Sequence, residues 1–271
     1  MEVISSRSNP KIKQTRALRL RKARQESGLF IAEGIRPFGE ASEARAQIAY
    51  IIYTPDRLHS DYAMDLIHQQ TASGIPCYAV TDEVFASLAE KENPQGILAV
   101  IHRPSRTLTD FSPSNFPWGV ALIDPQDPGN VGTILRTVDA VGASGLLLLS
   151  SGLDDEGLVD PYHPGSVRAS MGALFWHPIV ATSFSEFLGW AVKHHYHVYG
   201  TSARGSLDYK AVGSYQRPCI LLMGSERNGL STEQSRACES VICLPMHGRA
   251  TSLNLAVATG VLLYEMMHRF D

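Results

Sequence analysis

The chain has few cysteines, no long apolar run and little that resembles a targeting signal. Its four cysteines form no C-x-x-C pair, which argues against a redox dithiol or a zinc ribbon. We predict that all four are buried thiols: Cys77, Cys219, Cys238 and Cys243. No apolar segment approaches the roughly 20 residues that cross a bilayer, and the first residues lack the apolar core of a signal peptide. We therefore expect a cytoplasmic protein with no membrane partner.

The signatures of several common enzyme classes are also missing. The chain contains no G-x-G-x-x-G dinucleotide fingerprint and no G-x-S-x-G nucleophile elbow. The loop 224–231 has the glycine spacing of a phosphate-binding loop, but Leu230 stands where that loop requires lysine. His194, His195 and His197 lie where a predicted helix runs into a strand, a position that favours cations without a metal. These absences argue against nicotinamide, flavin and P-loop enzymes, and we expect no metal.

Positive charge is concentrated at the N-terminus, although the net charge of the chain is -3. Asn9 and Pro10 predict the start of a helix that spans 11–27 and ends before Gly28. Two interpretations stay open: an ordinary solvated helix face, or a surface that binds the phosphates of RNA or DNA. The basic residues of residues 1–25, opposed by one acid, are Arg7, Lys11, Lys13, Arg16, Arg19, Arg21, Lys22 and Arg24.

Apolar runs and helical patterns alternate along the rest of the chain and predict two α/β domains. Residues 1–103 form a small α/β domain without a defensible catalytic cluster, so its predicted role is binding. The Pro- and Ser-rich stretch 104–117 is the predicted linker. Residues 118–271 contain about six strands alternating with helices, one of them predicted at 166–173, which indicates a doubly wound parallel sheet.

A β-α-β unit at residues 122–149 opens the second domain. The first strand ends at Asp124, a Pro- and Gly-rich turn follows, and Asn130 stands where a helix N-cap is expected. Gly142 is the predicted end of the helix, and the second strand runs over 145–149. Ligands of open α/β sheets bind at such turns.

Two later turns carry further polar candidates. Glu226 lies in the glycine-framed loop, and Ser231 with Gln234 predicts a capping box for the next helix. Ser252 is either an N-cap or a functional residue at the start of the final helix. That helix, predicted over 253–268, is apolar on most faces and is expected to pack on the sheet and on a further surface, such as a second subunit.

Taken together, the three turns closely resemble motifs 1, 2 and 3 of the SpoU/TrmH family of RNA ribose methyltransferases. The matching residues are Asp127-Pro-Gly-Asn130-Val-Gly132-x-x-x-Arg136-Thr137, Gly224-Ser-Glu226-x-x-Gly229-Leu-Ser231, and Leu244-Pro-Met246 with Ser252-Leu-Asn254. The front half, with SRSNPKIK and GLFIAEGIR, is similar to the substrate-binding extension of that family, a small α/β domain like certain ribosomal RNA-binding proteins.

This resemblance implies a parallel-sheet α/β domain threaded into a deep trefoil knot, a homodimer, and S-adenosylmethionine as cofactor. The residues that it assigns to cofactor binding are Thr201, Met223, Gly224, Gly229, Leu244, Met246 and Leu253. The residues that it assigns to catalysis are Asn130, Arg136, Glu226, Ser252 and Asn254. The implied reaction is methylation of a ribose 2'-hydroxyl, with ribosomal RNA preferred. Transfer RNA, a base methylation and a non-catalytic RNA-binding or assembly factor remain alternatives.

The role of Arg136 is open within that resemblance. The family's proposed general base corresponds to Arg136, but a guanidinium ordinarily stays protonated at neutral pH. Either the site makes Arg136 give up its proton, or Arg136 clamps the adjacent phosphate and the proton leaves by another route.

Overall fold

The structure is a computed structural model that describes residues 3–90, 92–152, 157–203, 205 and 207–270. The chain forms two compact units. The first comprises Met1–Pro104 and Tyr162–Phe175, and the second comprises Ser105–Pro161 and Trp176–Asp271. The sequence pattern places residues 162–175 in the second domain, whereas the structure groups them with the first unit. Packing explains this, because the Phe30 ring lies 4.8 Å from the Tyr162 ring and 6.2 Å from the Phe175 ring.

The first unit is built on a four-stranded mixed sheet. In spatial order β1-β4-β2-β3, β4 is antiparallel to both of its neighbours, and β3 is parallel to β2. Elements are numbered along the whole chain, and the strands are β1 Leu29–Glu33, β2 Ile48–Tyr53, β3 Cys77–Ala79 and β4 Ile97–His102. The helices are α1 Pro10–Ala17, α2 Arg21–Ser27, α3 Ile35–Glu43, α4 Asp61–Ala72, α5 Asp82–Ala86 and α7 Pro164–Ala169, with a 3₁₀ helix at Ala173–Phe175.

The basic N-terminal segment forms two short helices rather than the one predicted over 11–27. Asn9 caps α1 as expected, with its side chain accepting from Lys11 N at 2.9 Å, but the helix ends at Ala17. The side chain of Arg24 returns from α2 to this break, and its Nη1 donates to the carbonyls of Leu18 and Arg19, both at 2.8 Å. Arg24 therefore satisfies backbone acceptors that an unbroken helix would have bonded internally.

Arg24 itself is buried, with only 1% of its surface exposed. We expect Arg24→Met to lower the free energy of unfolding by about 2–4 kcal/mol, because it leaves buried carbonyls without donors. Lys22→Met, which changes an exposed cation in the same helix, is the matched control. It should shift the free energy of unfolding by less than about 0.5 kcal/mol. Chemical denaturation measures both values. Equal stability of the two variants would contradict this role of Arg24.

The second unit is built on a seven-stranded sheet in which every pairing is parallel. Its spatial order is β7-β6-β5-β10-β8-β11-β9. The strands are β5 Trp118–Ile123, β6 Leu146–Ser150, β7 Ile179–Ser183, β8 His197–Thr201, β9 Leu207–Asp208, β10 Cys219–Met223 and β11 Ser240–Cys243. The helices are α6 Pro128–Val141, α8 Phe184–Lys193, α9 Thr232–Arg236 and α10 Leu255–His268, with 3₁₀ helices at Leu108–Asp110 and Tyr209–Ala211.

The β5-α6-β6 unit forms as the sequence predicts, with one correction at its turn. Strand β5 is buried at every position, and Gly142 ends α6 in the left-handed conformation with φ 70°. The N-cap is Asp127 rather than Asn130, because Pro128 occupies the first helical position and the Asp127 carboxylate accepts from Gly129 N at 2.6 Å. Asn130 thus lies inside the first turn, and its side chain is free for another use.

The parallel α/β architecture of the second unit is confirmed, with differences in detail. The two-residue strand β9 was not predicted, since it is too short to leave a periodic pattern, whereas the helix expected after Ser231 forms as the short helix α9. The final helix begins at Leu255, because Asn254 caps it by accepting from Ala256 N and Val257 N. Strand order alone does not establish a knot, so the trefoil knot stays a prediction.

Candidate functional site

A cavity of about 1010 Å³ opens at the carboxyl ends of β5, β8, β10 and β11. In a parallel sheet these ends lie on one edge, and loops that follow neighbouring strands converge there. Four loop segments line the cavity, together with residues of α10. They are the turn at Asp127 and Asn130, residues 201–203 after β8, residues 224–230 after β10, and the segment between β11 and α10. The three turns singled out in the sequence therefore meet at one site.

The loop after β10 owes its shape to two glycines. A Cβ at Gly224 would lie 2.4 Å from the Gly229 carbonyl carbon and 2.5 Å from Leu230 N, so no larger residue fits. Gly229 is left-handed at φ 66°, and its N and O both bond to the backbone of Ser225, at 2.9 and 3.1 Å. The predicted capping box at Ser231 and Gln234 is confirmed and begins α9. The loop is thus closed on itself and held at both ends.

Asn130 joins the three turns by hydrogen bonds. Its Nδ2 donates to Glu226 Oε1 at 2.5 Å, and its Oδ1 accepts from Asn254 Nδ2 at 3.0 Å. Because Asn254 Oδ1 is the acceptor for the amides of α10, its Nδ2 must face Asn130. That in turn directs the Asn130 amide nitrogen toward the Glu226 carboxylate. The cap at the N-terminus of α10 therefore determines which group donates and which accepts in each of these hydrogen bonds.

Arg136 is the predicted catalytic residue that lies outside both this network and the cavity. It lies on α6 six residues after Asn130, its side chain is exposed, and it does not line the cavity. Among the residues that the structure describes, it has no hydrogen-bond or ion-pair partner. Ser252, in contrast, lines the cavity and is exposed. It is not the N-cap of α10, so the capping interpretation of Ser252 is wrong.

All of the residues predicted to bind the cofactor line the cavity: Thr201, Met223, Gly224, Gly229, Leu244, Met246 and Leu253. The floor is apolar, with Ile242 and Leu262 contributing side chains that the sequence alone did not single out. Asp127, Ser202, Ser225 and Arg227 were also missed. Three of these four lie inside the motif segments without having been assigned a role, and Ser202 directly follows Thr201, so their place in or beside a predicted position was the available signal.

Among the described residues, the cysteines and histidines provide neither a metal-ligand cluster nor a thiolate nucleophile at this site. Cys219 is buried as predicted, but Cys77, Cys238 and Cys243 are only partly buried, which corrects that prediction. Burial raises the pKa of the Cys219 thiol to about 12 and that of Cys238 to about 11, so both stay protonated at neutral pH. His197 is bonded to Glu239 through Nδ1 at 2.5 Å. Within the described ranges, no cluster of His, Cys, Asp and Glu is arranged to hold a metal.

The basic residues of the first unit differ in how available they are. Arg24 is buried and bonded to backbone carbonyls, so it does not belong to an RNA-binding surface. Arg16 and Arg19 each donate to the loop that follows α5, Arg16 to Ser87 Oγ at 2.8 Å. Arg7, Lys13 and Lys22 are exposed, and Lys11, Arg16, Arg19 and Arg21 are partly exposed.

Within the described residues, no helix is long and apolar enough to cross a membrane.

Comparison with known proteins places these observations in a family. The model of the SpoU rRNA Methylase family matches residues 117–264, and the model of an MRM3-like substrate binding domain matches residues 9–99. The 23S rRNA (guanosine(2553)-2'-O)-methyltransferase RlmP of Bacillus subtilis (strain 168) is 29% identical over 268 residues, 98% of this chain and 99% of that protein. A 23S rRNA (uridine(2479)-2'-O)-methyltransferase of Streptomyces viridochromogenes is 32% identical over 92% of this chain and 86% of that protein.

A solved structure agrees over nearly the whole length. The crystal structure of an AdoMet-bound rRNA methyltransferase from Sinorhizobium meliloti has a TM-score of 0.88 and 33% identity, covering 98% of this chain and 97% of that one. Fold, cavity and relatives together confirm the predicted class, an S-adenosylmethionine-dependent RNA ribose 2'-O-methyltransferase. The chain belongs to the SpoU rRNA methylase family.

Proposed function

We propose that this protein transfers a methyl group from S-adenosylmethionine to a ribose 2'-hydroxyl of ribosomal RNA. The observation that carries the proposal is the Asn130-Glu226-Asn254 network, which joins all three motif loops beside one cavity. The substrate is proposed from the full-length relatives, which are named for 23S rRNA, and from the match to a substrate-binding domain. Ribosomal RNA as substrate also favours the cytoplasm, where ribosomes are assembled, as the location.

The residues at the cavity suit the cofactor. Cavities that bind small molecules combine apolar walls with a few directed polar groups, and the apolar residues that line this one include Met223, Leu244 and Met246. Gly224 lets the loop close on itself, and at Gly229 the exposed backbone leaves room for a ligand to approach. When bound, S-adenosylmethionine supplies an electrophilic methyl group on its sulfonium.

The chain's own residues then have two tasks, which are to orient the ribose and to accept or direct its proton. We propose that Asn130, Glu226, Ser252 and Asn254 position the 2'-hydroxyl at the cavity mouth, since a hydroxyl is a weak nucleophile and gains most from alignment. We assign Arg136 to the phosphate next to the target ribose, because its exposed guanidinium has the planar fork that matches phosphate oxygens. The exposed cations Arg7, Lys13 and Lys22, together with Lys11, Arg16, Arg19 and Arg21, would contact phosphates elsewhere on the RNA.

Asn130→Asp tests the network directly. The substitution replaces the donating amide with a carboxylate that faces Glu226 Oε1, so attraction becomes repulsion. We expect turnover to fall about a hundredfold or more, because small displacements of catalytic groups cost that much. Asn115→Asp, at an exposed turn of the same unit, is the control and should leave turnover unchanged. Near-normal turnover of Asn130→Asp would remove the network from the mechanism.

We also propose that the protein is a homodimer through α10. Val257, Val261 and Tyr264 lie at helical spacing on one face and are 53%, 39% and 47% exposed. Exposed apolar side chains that line one face of a helix indicate that this face packs against an apolar surface of another molecule. Light scattering should give twice the chain mass of 29.6 kDa for the wild type and one chain mass for Val261→Asp. Val192→Asp, at a valine of α8 that is 68% exposed, is the control. A monomeric wild type would refute the dimer.

The competing function is a non-catalytic RNA-binding factor that keeps the fold. The intact network beside the cavity favours the enzyme, because a binding protein has no need to hold Asn130, Glu226 and Asn254 in register. Radiolabelled methyl transfer to purified ribosomal RNA and to transfer RNA separates the two functions and also distinguishes the two RNA classes. Label in neither RNA would favour the binding factor.

A further inference from the structure

Arg227 is the one cation among the described residues that line the cavity, and the function proposed above does not use it. The other charged groups that line the cavity are the acids Asp127 and Glu226. Arg227 follows Glu226 directly in the loop after β10, and its side chain is exposed. Within the described part of the chain it forms no hydrogen bond or ion pair, not even with the neighbouring Glu226.

The two acids at the cavity are already engaged by donors of the protein. The Asp127 carboxylate caps α6 through Gly129 N at 2.6 Å, and Glu226 Oε1 accepts from Asn130 at 2.5 Å. A guanidinium and two carboxylates therefore share the cavity wall, and of the three only the guanidinium lacks a hydrogen-bond partner among the described residues. An unmatched arginine at a ligand cavity is complementary to an oxyanion, which it can bind through two parallel N–H donors.

The loop is suited to hold such a side chain in place. Ser225 and Gly229 are paired through two backbone hydrogen bonds, and Ser225 Oγ accepts from Asn228 N at 3.2 Å. Residues 226–228 are thus the closed tip of a short, internally bonded loop. The closed loop fixes the backbone at Arg227. Binding of an oxyanion by this side chain therefore costs less conformational entropy than it would from an unrestrained loop.

We propose that Arg227 is an oxyanion-binding residue of the methyl-transfer site, an inference that rests on the proposed function. Two parts of the reactants carry the required chemistry: the carboxylate of the cofactor's methionine moiety and a phosphate flanking the target ribose. Arg227 holds one of these oxyanions during binding, and it makes no contribution to the chemical step. It is thus a second arginine of the site, distinct from Arg136 on α6.

Binding measurements distinguish the two sources. For Arg227→Ala, contact with the cofactor predicts that the Kd for S-adenosylmethionine, measured calorimetrically without RNA, rises about tenfold. Contact with phosphate predicts an unchanged cofactor Kd and a Kd for ribosomal RNA, measured by titration, that rises about tenfold. It also predicts that the slope of log affinity for RNA against log salt falls by about 0.7–0.9. In either case kcat at saturation stays within about twofold, and Arg227→Lys recovers part of the loss.

Arg236→Ala, an exposed arginine on α9 outside the cavity, is the matched control and should leave every value unchanged. Because the cofactor and RNA titrations need no turnover, they judge Arg227 even if the wild type fails to methylate the RNA tested. A Kd for S-adenosylmethionine and a Kd for ribosomal RNA that both stay within twofold of wild type would overturn the proposal. So would a loss confined to kcat.

Discussion

We expect Arg136→Ala to lose methyl transfer by about a thousandfold or more while S-adenosylmethionine binds as tightly as to the wild type. The two effects separate because Arg136 is exposed on α6, outside the cavity, while the predicted cofactor residues all line it. The guanidinium has no partner within the described chain, so its removal leaves no buried group unpaired and the fold should be unaffected. Single-turnover methylation and calorimetric titration measure the two quantities.

The matched control is Arg236→Ala, which removes another exposed arginine of the same unit and should behave as wild type. Arg136→Lys adds information about the role, because lysine keeps the charge but cannot make the bidentate phosphate contact. A phosphate clamp predicts partial activity for this variant, with a raised KM for RNA. Near-normal turnover of Arg136→Ala would remove Arg136 from the reaction altogether.

The second large effect is expected at Gly224. Alanine at this position places its Cβ 2.4 Å from the Gly229 carbonyl carbon, a backbone atom that can yield only if the whole loop moves. Overpacking of this kind costs about 1–3 kcal/mol, and a comparable loss in the binding free energy corresponds to a Kd about 5-fold to 150-fold higher. We therefore expect Gly224→Ala to weaken cofactor binding by that factor and to suppress turnover. Calorimetry and thermal unfolding measure these changes.

Gly213→Ala is the control for the glycine substitution itself. Gly213 is exposed in the same unit, and a Cβ there meets no atom within 4 Å. This variant should keep the wild-type Kd and turnover. If Gly224→Ala also bound the cofactor normally, cofactor binding would not depend on the closed shape of this loop.

Most of the fold was predictable because its elements are locally encoded. The strand β5 and the Gly142 helix end each follow from a few adjacent residues, and the structure has both. The break between α1 and α2 was not predictable in the same way. It depends on Arg24, whose guanidinium bonds to carbonyls five and six residues earlier, and its burial removes a predicted RNA contact. Basic composition does not distinguish an exposed cation from a buried one.

The resemblance named many of the residues that line the cavity, but not the hydrogen bonds that connect them. The resemblance supplied Asn130, Glu226 and Asn254, yet local pattern assigned Asn130 to capping, because Asx residues are common at that position. Asp127 lies three residues earlier and takes the cap, which frees Asn130 to bond across 96 and 124 residues of sequence. Such long-range pairing has no local signal. The trefoil knot and the homodimer stay predictions for the same reason.

Methylation of ribose in ribosomal RNA is tested most directly by nucleoside analysis. Purified protein is incubated with labelled S-adenosylmethionine and ribosomal RNA that lacks the modification, and the RNA is then digested to nucleosides and separated. We predict label in a single 2'-O-methylated nucleoside, absent from the reaction with Arg136→Ala. Label on a base, or none in ribosomal RNA while the protein binds both the cofactor and the RNA, would contradict the claim.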